Sequence, residues 1–124
     1  LAKVSDPKER QDIFALYWWP DYASPYGFLY ATFHSEEHVS FNLGYYNNPE
    51  FDKLIDDANT LSASDRAKAE QLFVDAQNLL MEEAISISAF DRQSVYVTSS
   101  KLKGYTINPA YNSVVFFYGE YIEE

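Results

Sequence analysis

Two apolar stripes with helical spacing constrain this chain more than any other feature. Phe51, Leu54, Ile55 and Ala58 recur at i, i+3, i+4 and i+7, which is one face of a helix. Ala69, Leu72, Phe73, Ala76, Leu79 and Leu80 form a second stripe of the same kind. Asn47-Asn48-Pro49-Glu50 reads as the start of the first helix: Asn48 can cap free backbone N–H groups, and Pro49 suits the first helical position. Asp56 and Asp57 point off the stripe and are expected in solvent. Ser62-Ala63-Ser64-Asp65 reads as the second start, since Ser62 and Asp65 have capping-box spacing with Asp in place of Glu or Gln. That helix is expected to reach about Glu83, roughly 20 residues and ~30 Å.

The rest of the chain reads as strands and loops. Ile13 to Trp19 is a continuous apolar run, short and aromatic, which predicts a buried strand ended by Pro20. Residues 20–28 carry two prolines and a glycine and predict a loop. Ile85-Ser86-Ile87-Ser88-Ala89 alternates with period two and predicts a half-buried strand. Val95 to Thr98 and Ser113 to Tyr118 are further strand candidates, Gly104 marks a turn, and Glu120, Glu123 and Glu124 make an acidic tail expected to fray. The order indicates an α/β (mixed α and β) fold. Strand edges left without a partner are expected to promote self-association.

Composition narrows the function classes. The chain of 124 residues reads as one segment, 47% hydrophobic and 23% charged, enough for a core and against disorder. Nine Lys and Arg stand against 19 Asp and Glu, a formal net charge of −10, which argues against a nucleic-acid partner. The absence of cysteine excludes disulfides and thiolate chemistry. No stretch approaches the ~20 apolar residues of a membrane span. The chain opens Leu1-Ala2-Lys3-Val4 without an initiating Met, as at a cut; if the protein is exported, its signal or lipid anchor would lie upstream. Aromatic residues reach 18%, with 11 Tyr, 9 Phe and 2 Trp. An aromatic core, a ligand groove and a covered interface all fit that content.

Two groups of residues invite a chemical reading. His34-Ser35-Glu36-Glu37-His38 fits H-x-x-E-H, in which two histidines on one helix face bind zinc and Glu37 acts as general base. It requires a stable helix and a third ligand that no motif marks, so a zinc metallopeptidase is the lesser reading. Phosphate-binding loops and G-x-S-x-G are absent, no catalytic set emerges, and no cofactor is implied. Asp21 follows Trp18 and Trp19 and opens a proline-bounded loop. A carboxylate among indole rings suits an ammonium group through a charge-assisted hydrogen bond and cation–π contact. It suits rather better a turn that it caps through its own backbone, and both readings stand at this level.

Four segments in order resemble one family. Trp18-Trp19-Pro20-Asp21-Tyr22-Ala23-Ser24-Pro25-Tyr26-Gly27-Phe28-Leu29 is similar to the W-x-x-D-Y-x-x-P-x-x-F-L segment of the oligopeptide- and dipeptide-binding proteins of ABC importers (solute-binding family 5). Tyr46 to Ile55 is similar to Y-x-N-P-x-F-D-x-L-I, Arg66 with Ala76-Gln77, Leu79-Leu80 and Glu82-Glu83-Ala84 to the following helix, and Lys103-Gly104-Tyr105 to a late K-G-Y. Ser24 stands where the family often has an acidic residue, and Ile85 to Ala89 lacks its usual proline.

The resemblance implies a C-terminal fragment of a type II periplasmic-binding-protein-like fold. About residues 1–84 would belong to the second lobe, and about 85–124 would return toward the first. It implies a periplasmic or extracellular protein, lipid-anchored or secreted, that captures peptides by closure of two lobes and delivers them to permease subunits; no enzyme is implied. Asp21 would bind the peptide's α-ammonium and Trp18 would line the side-chain pocket, with Trp19 and Tyr22 nearby and Asn42 making a polar contact. Oligosaccharides or nickel complexes, which relatives of this architecture bind, are the alternative ligands.

Overall fold

The computed structural model describes Lys8, residues 12–19, 21–90, Gln93, 95–107 and 117–124. The chain divides into two compact units, Leu1–Ser88 and Ala89–Glu124.

Three helices build the first unit: α1 (Pro25–Phe33), α2 (Pro49–Leu61) and α3 (Arg66–Glu82). α2 starts where its sequence predicts. The Asn48 side-chain Oδ1 accepts from the N–H groups of Glu50 at 2.9 Å and Phe51 at 3.4 Å, and Pro49 occupies the first turn. Glu50 and Asp52 place negative charge at the positive end of the helix dipole. α3 starts three residues later than the capping-box pattern suggests. Ser62 keeps helical backbone angles (φ −55°, ψ −30°) and closes α2, its hydroxyl donating to the Ala58 carbonyl at 2.8 Å. A cap must leave the helical region, and Asp65 does so, accepting from the Lys68 N–H at 3.1 Å. α3 therefore spans 17 residues, a turn short of the predicted length.

The end of α3 is a Schellman motif. The Ala84 N–H donates to Met81 O and the Ile85 N–H to Leu80 O, both at 3.2 Å, and Ala84 adopts φ 54°. Left-handed backbone is costly for a residue with a Cβ and free for glycine.

The predicted stripes face each other. Phe51, Ile55 and Ala58 of α2 and Phe73, Ala76 and Leu80 of α3 share one core cluster with Leu29 of α1 and Tyr46. Leu54, Leu72 and Leu79 pack against its margin, while Ala69 is buried on the same helix. Asn48, before α2, donates to the Glu83 carboxylate, after α3, at 2.9 Å, so the helices run antiparallel.

Of the segment 20–28, predicted as a loop, Pro20 lies outside the described residues and the second half is helix. Asp21–Ser24 is a bend, and α1 begins at Pro25 because Ser24 accepts from the Tyr26 N–H at 3.2 Å. Ser24-Pro25 is thus the same start signal as Asn48-Pro49. The strand predicted at 13–19 is absent: the residues there join no strand ladder, and Ile13 is 89% exposed. Ile85 to Ala89 and Val95 to Thr98 likewise form no strand, with Ile87 and Val97 each 91% exposed. An extended apolar run becomes a strand only when a neighbour takes its backbone hydrogen bonds. No helix among the described residues is long and apolar enough to cross a membrane.

In the second unit, β1 (Leu102–Lys103) pairs antiparallel with β2 (Tyr121–Ile122). The acidic tail, expected to fray, is held at Glu123. The Glu123 N–H donates to Lys101 O at 2.9 Å, and its carboxylate meets Lys103 Nζ at 3.0 Å. Of the strand predicted at 113–118, residues 113–116 lie outside the described residues, and Phe117–Gly119 is a 3-10 turn. Gly104 takes φ 74°, and a Cβ built there would lie 1.9 Å from the Gly119 carbonyl oxygen. The mixed α and β content agrees with the sequence expectation.

Two stability predictions result. Ala84→Gly removes the left-handed cost and should stabilise the first unit by about 0.5–1 kcal/mol, read from urea unfolding. Gly104→Ala should break the β1–β2 pairing through contact with Gly119 backbone, seen as loss of amide protection in Leu102–Lys103 by hydrogen exchange.

Candidate functional site

The segment between α1 and α2 is organised by one side chain. Asn42 is 2% exposed. Its amide nitrogen donates to the carbonyls of His34 at 3.0 Å and Tyr46 at 2.7 Å, and its oxygen accepts from the Tyr46 N–H at 3.0 Å. Both amide hydrogens are committed inside the chain. The intervening residues turn tightly: Tyr45 N–H donates to Asn42 O at 3.0 Å, and Tyr45 adopts φ 53°. Phe41 sits immediately before this knot, and its own carbonyl accepts from the Leu43 N–H at 2.7 Å.

Phe41 reaches the aromatic segment at the start of the chain. Its ring meets that of Trp18 edge-on, with centroids 4.7 Å apart and planes at 62°. The Trp18 indole N–H donates to the Gly27 carbonyl in the first turn of α1, at 3.1 Å. Trp18 is therefore fixed at two points and half-buried, whereas Trp19, Asp21 and Tyr22 are exposed. The structure thus brings Trp18, Phe41, α1 and the Asn42 knot together, with Asp21 and Tyr22 on the bend that follows Trp18. The link from Trp18 to Phe41 carries no sequence signal, because an edge-on ring contact between residues far apart in the chain has no motif.

The H-x-x-E-H pattern does not form a helical pair. α1 ends at Phe33, His34 is its C-cap with ψ 142°, and Glu37 and His38 lie exposed in a bend. His34 turns instead toward α2. Its Nδ1 lies 3.0 Å from the Ser35 carbonyl oxygen and 3.8 Å from Asp52 Oδ1, its Nε2 lies 3.5 Å from Asp56 Oδ2, and its ring stacks on Tyr30 at 4.3 Å. Among the described residues, no three His, Cys, Asp or Glu side chains are placed to hold a metal ion. The zinc-peptidase arrangement thus fails on backbone geometry.

Tyr46 anchors the far side of the knot. Burial pushes its phenol up from the ordinary 10.0 to about 12, with the Glu83 carboxylate acting in the same direction. No partner meets the hydroxyl with hydrogen-bond geometry.

The comparisons with known proteins agree in direction. The chain is 29% identical over 98 residues to the probable D,D-dipeptide-binding periplasmic protein DdpA of Escherichia coli, an alignment covering 78% of this chain and 19% of that protein. It is 36% identical over 71 residues to the glutathione-binding protein GsiB of Pectobacterium atrosepticum, covering 57% of this chain and 13% of that one. The chain thus spans a fifth or less of these relatives. No family model matches it, and no solved structure does.

Two measurements check the site's framework. Asn42→Ala leaves the Tyr46 N–H and two carbonyls unpaired, and should cost about 3 kcal/mol in urea unfolding, at ~1–3 kcal/mol per stranded buried group. Tyr46 holds its proton more tightly folded than unfolded, so its contribution is complete below pH 10.0 and is lost as the pH rises toward about 12. Tyr46→Phe should flatten the fall in unfolding midpoint across that window.

Proposed function

We propose that this chain is part of the solute-binding component of an ABC importer, and that the whole protein captures short peptides outside the cytoplasm for its permease. Asp21 takes the peptide's α-ammonium, and Trp18 forms the wall beside the first side chain. Trp19 and Tyr22 border the same bend. Asn42 serves this site from within, as the support of the Phe41 turn. About residues 1–84 belong to the second lobe and about 85–124 lead back toward the first, with capture by lobe closure and no bond made or broken.

The observation that carries this reading is the likeness along 98 residues to a probable D,D-dipeptide-binding periplasmic protein. In this chain Asp21 and Tyr22 stand on an exposed bend. The second relative supports the same anchor. Glutathione is a γ-linked tripeptide that also carries an α-ammonium, so both ligands would present a cation to a carboxylate.

The test uses the full-length protein and calorimetry. Asp21→Asn should weaken binding of free peptides about tenfold or more, at ~1.5–3 kcal/mol for a charge-assisted bond, and barely change binding of their N-acetylated forms. Equal losses for both forms would remove Asp21 from the ammonium site. Residues 1–124 alone should bind the same peptides weakly or not at all.

A further inference from the structure

We infer that Phe41 is a positioning residue for the pocket, and that through it the Asn42 knot sets which first side chains the site accepts. This rests on the peptide-binding reading above and extends it to side-chain selectivity.

Trp18 has one hydrogen-bond donor, and that donor is taken by the Gly27 carbonyl at 3.1 Å. The ring can therefore offer a neighbour apolar and π surface but no N–H. A single hydrogen bond leaves an indole free to swing about its donor atom. Phe41 removes that freedom by meeting the ring edge-on at 4.7 Å. Phe41 is itself held by its place next to Asn42, whose amide ties His34 and Tyr46 together from inside the chain. An aromatic wall whose plane is fixed in advance costs a ligand no ordering entropy on binding. The wall so made favours aromatic and branched aliphatic first side chains over glycine and over polar ones, because it offers area without a polar partner. Under the proposed function Asp21 reads the terminal charge, not the side chain.

The test compares tripeptides with a free N-terminus that begin with Phe or with Gly, binding to the full-length protein and to its Phe41→Ala and Phe41→Leu variants. Phe41→Ala should cost the Phe-first peptide about three- to tenfold in affinity, the range of an aromatic pair contact, and leave the Gly-first peptide within about twofold. Phe41→Leu should recover much of the difference. The ratio of free to N-acetylated affinity should be unchanged in both variants. Equal losses for both peptides, or an unchanged Phe-to-Gly ratio, would overturn the inference. Near-UV circular dichroism gives a readout without ligand: the Trp18 signal, taken as the difference from Trp18→Phe, should collapse in Phe41→Ala. If the protein binds no peptide, the function proposed above fails, and that signal alone decides the role of Phe41: its collapse sustains the positioning role and its persistence overturns it.

Discussion

The packing of α2 on α3 is the contact on which the first unit rests. Phe51 and Ile55 are fully buried, Phe73 and Leu80 nearly so, and each such side chain contributes about 1.5–3 kcal/mol. Ala58 and Ala76, with no exposed surface, are the small residues that let the helices come close. Phe51 joins this pair to α1 and to the turn that follows it. Its ring meets Phe33 of α1 edge-on at 6.3 Å and Tyr46 of the following turn at 5.4 Å. The exposed Asn48–Glu83 bond at the open end adds alignment and little energy, as exposed polar pairs do. The position of Trp18 is thus traceable in steps to a hydrophobic hairpin distant from it in sequence: Phe51 to Tyr46, Tyr46 to Asn42, Asn42 to Phe41, Phe41 to Trp18.

What could be read from the sequence follows from how local each signal is. A cap needs only the next three residues, so Asn48-Pro49 is legible and is where it was expected. Ser24-Pro25 carries the same chemistry but was outweighed by nearby proline and glycine, which also mark loops. Ser62 against Asp65 was decided by which residue leaves the helical backbone region, something spacing alone does not contain. Strands are the least legible element because a ladder is not local. Ile85 to Ala89 alternates well and still stands open, since period two gives a face without giving a partner. The apolar run at 13–19 belongs to the same case.

The site divides along the same line. Asp21 stood out through its immediate neighbours, two tryptophans and a proline-bounded bend, and the bend is there. Asn42 enters only through the family resemblance, as a polar contact to the ligand. Whether an amide serves a ligand or the fold depends on which carbonyls the turns bring to it, and here those of His34 and Tyr46 arrive first. His34 shows the converse. Its five-residue motif is complete in sequence, yet the helix that would give it meaning ends one residue earlier.

The exposure of Asp21 bears on how such a site could work. Opposite charges ~4 Å apart attract by about 1 kcal/mol in water and about 4 kcal/mol at the effective dielectric of a protein surface. A carboxylate open to solvent therefore holds an ammonium too weakly to bind a peptide alone, and salt weakens it further. A fixed indole wall beside it adds area without changing that screening. The missing factor is a second surface that removes water once the ligand is in place. Under the proposed reading that surface comes from the other lobe, and the alignment covers only 19% and 13% of the two relatives. Closure would then strengthen the ion pair and bury the first side chain against Trp18 in the same movement. Affinity would be a property of the closed protein, whereas the choice of end group and side chain would already be set by Asp21, Trp18 and Phe41.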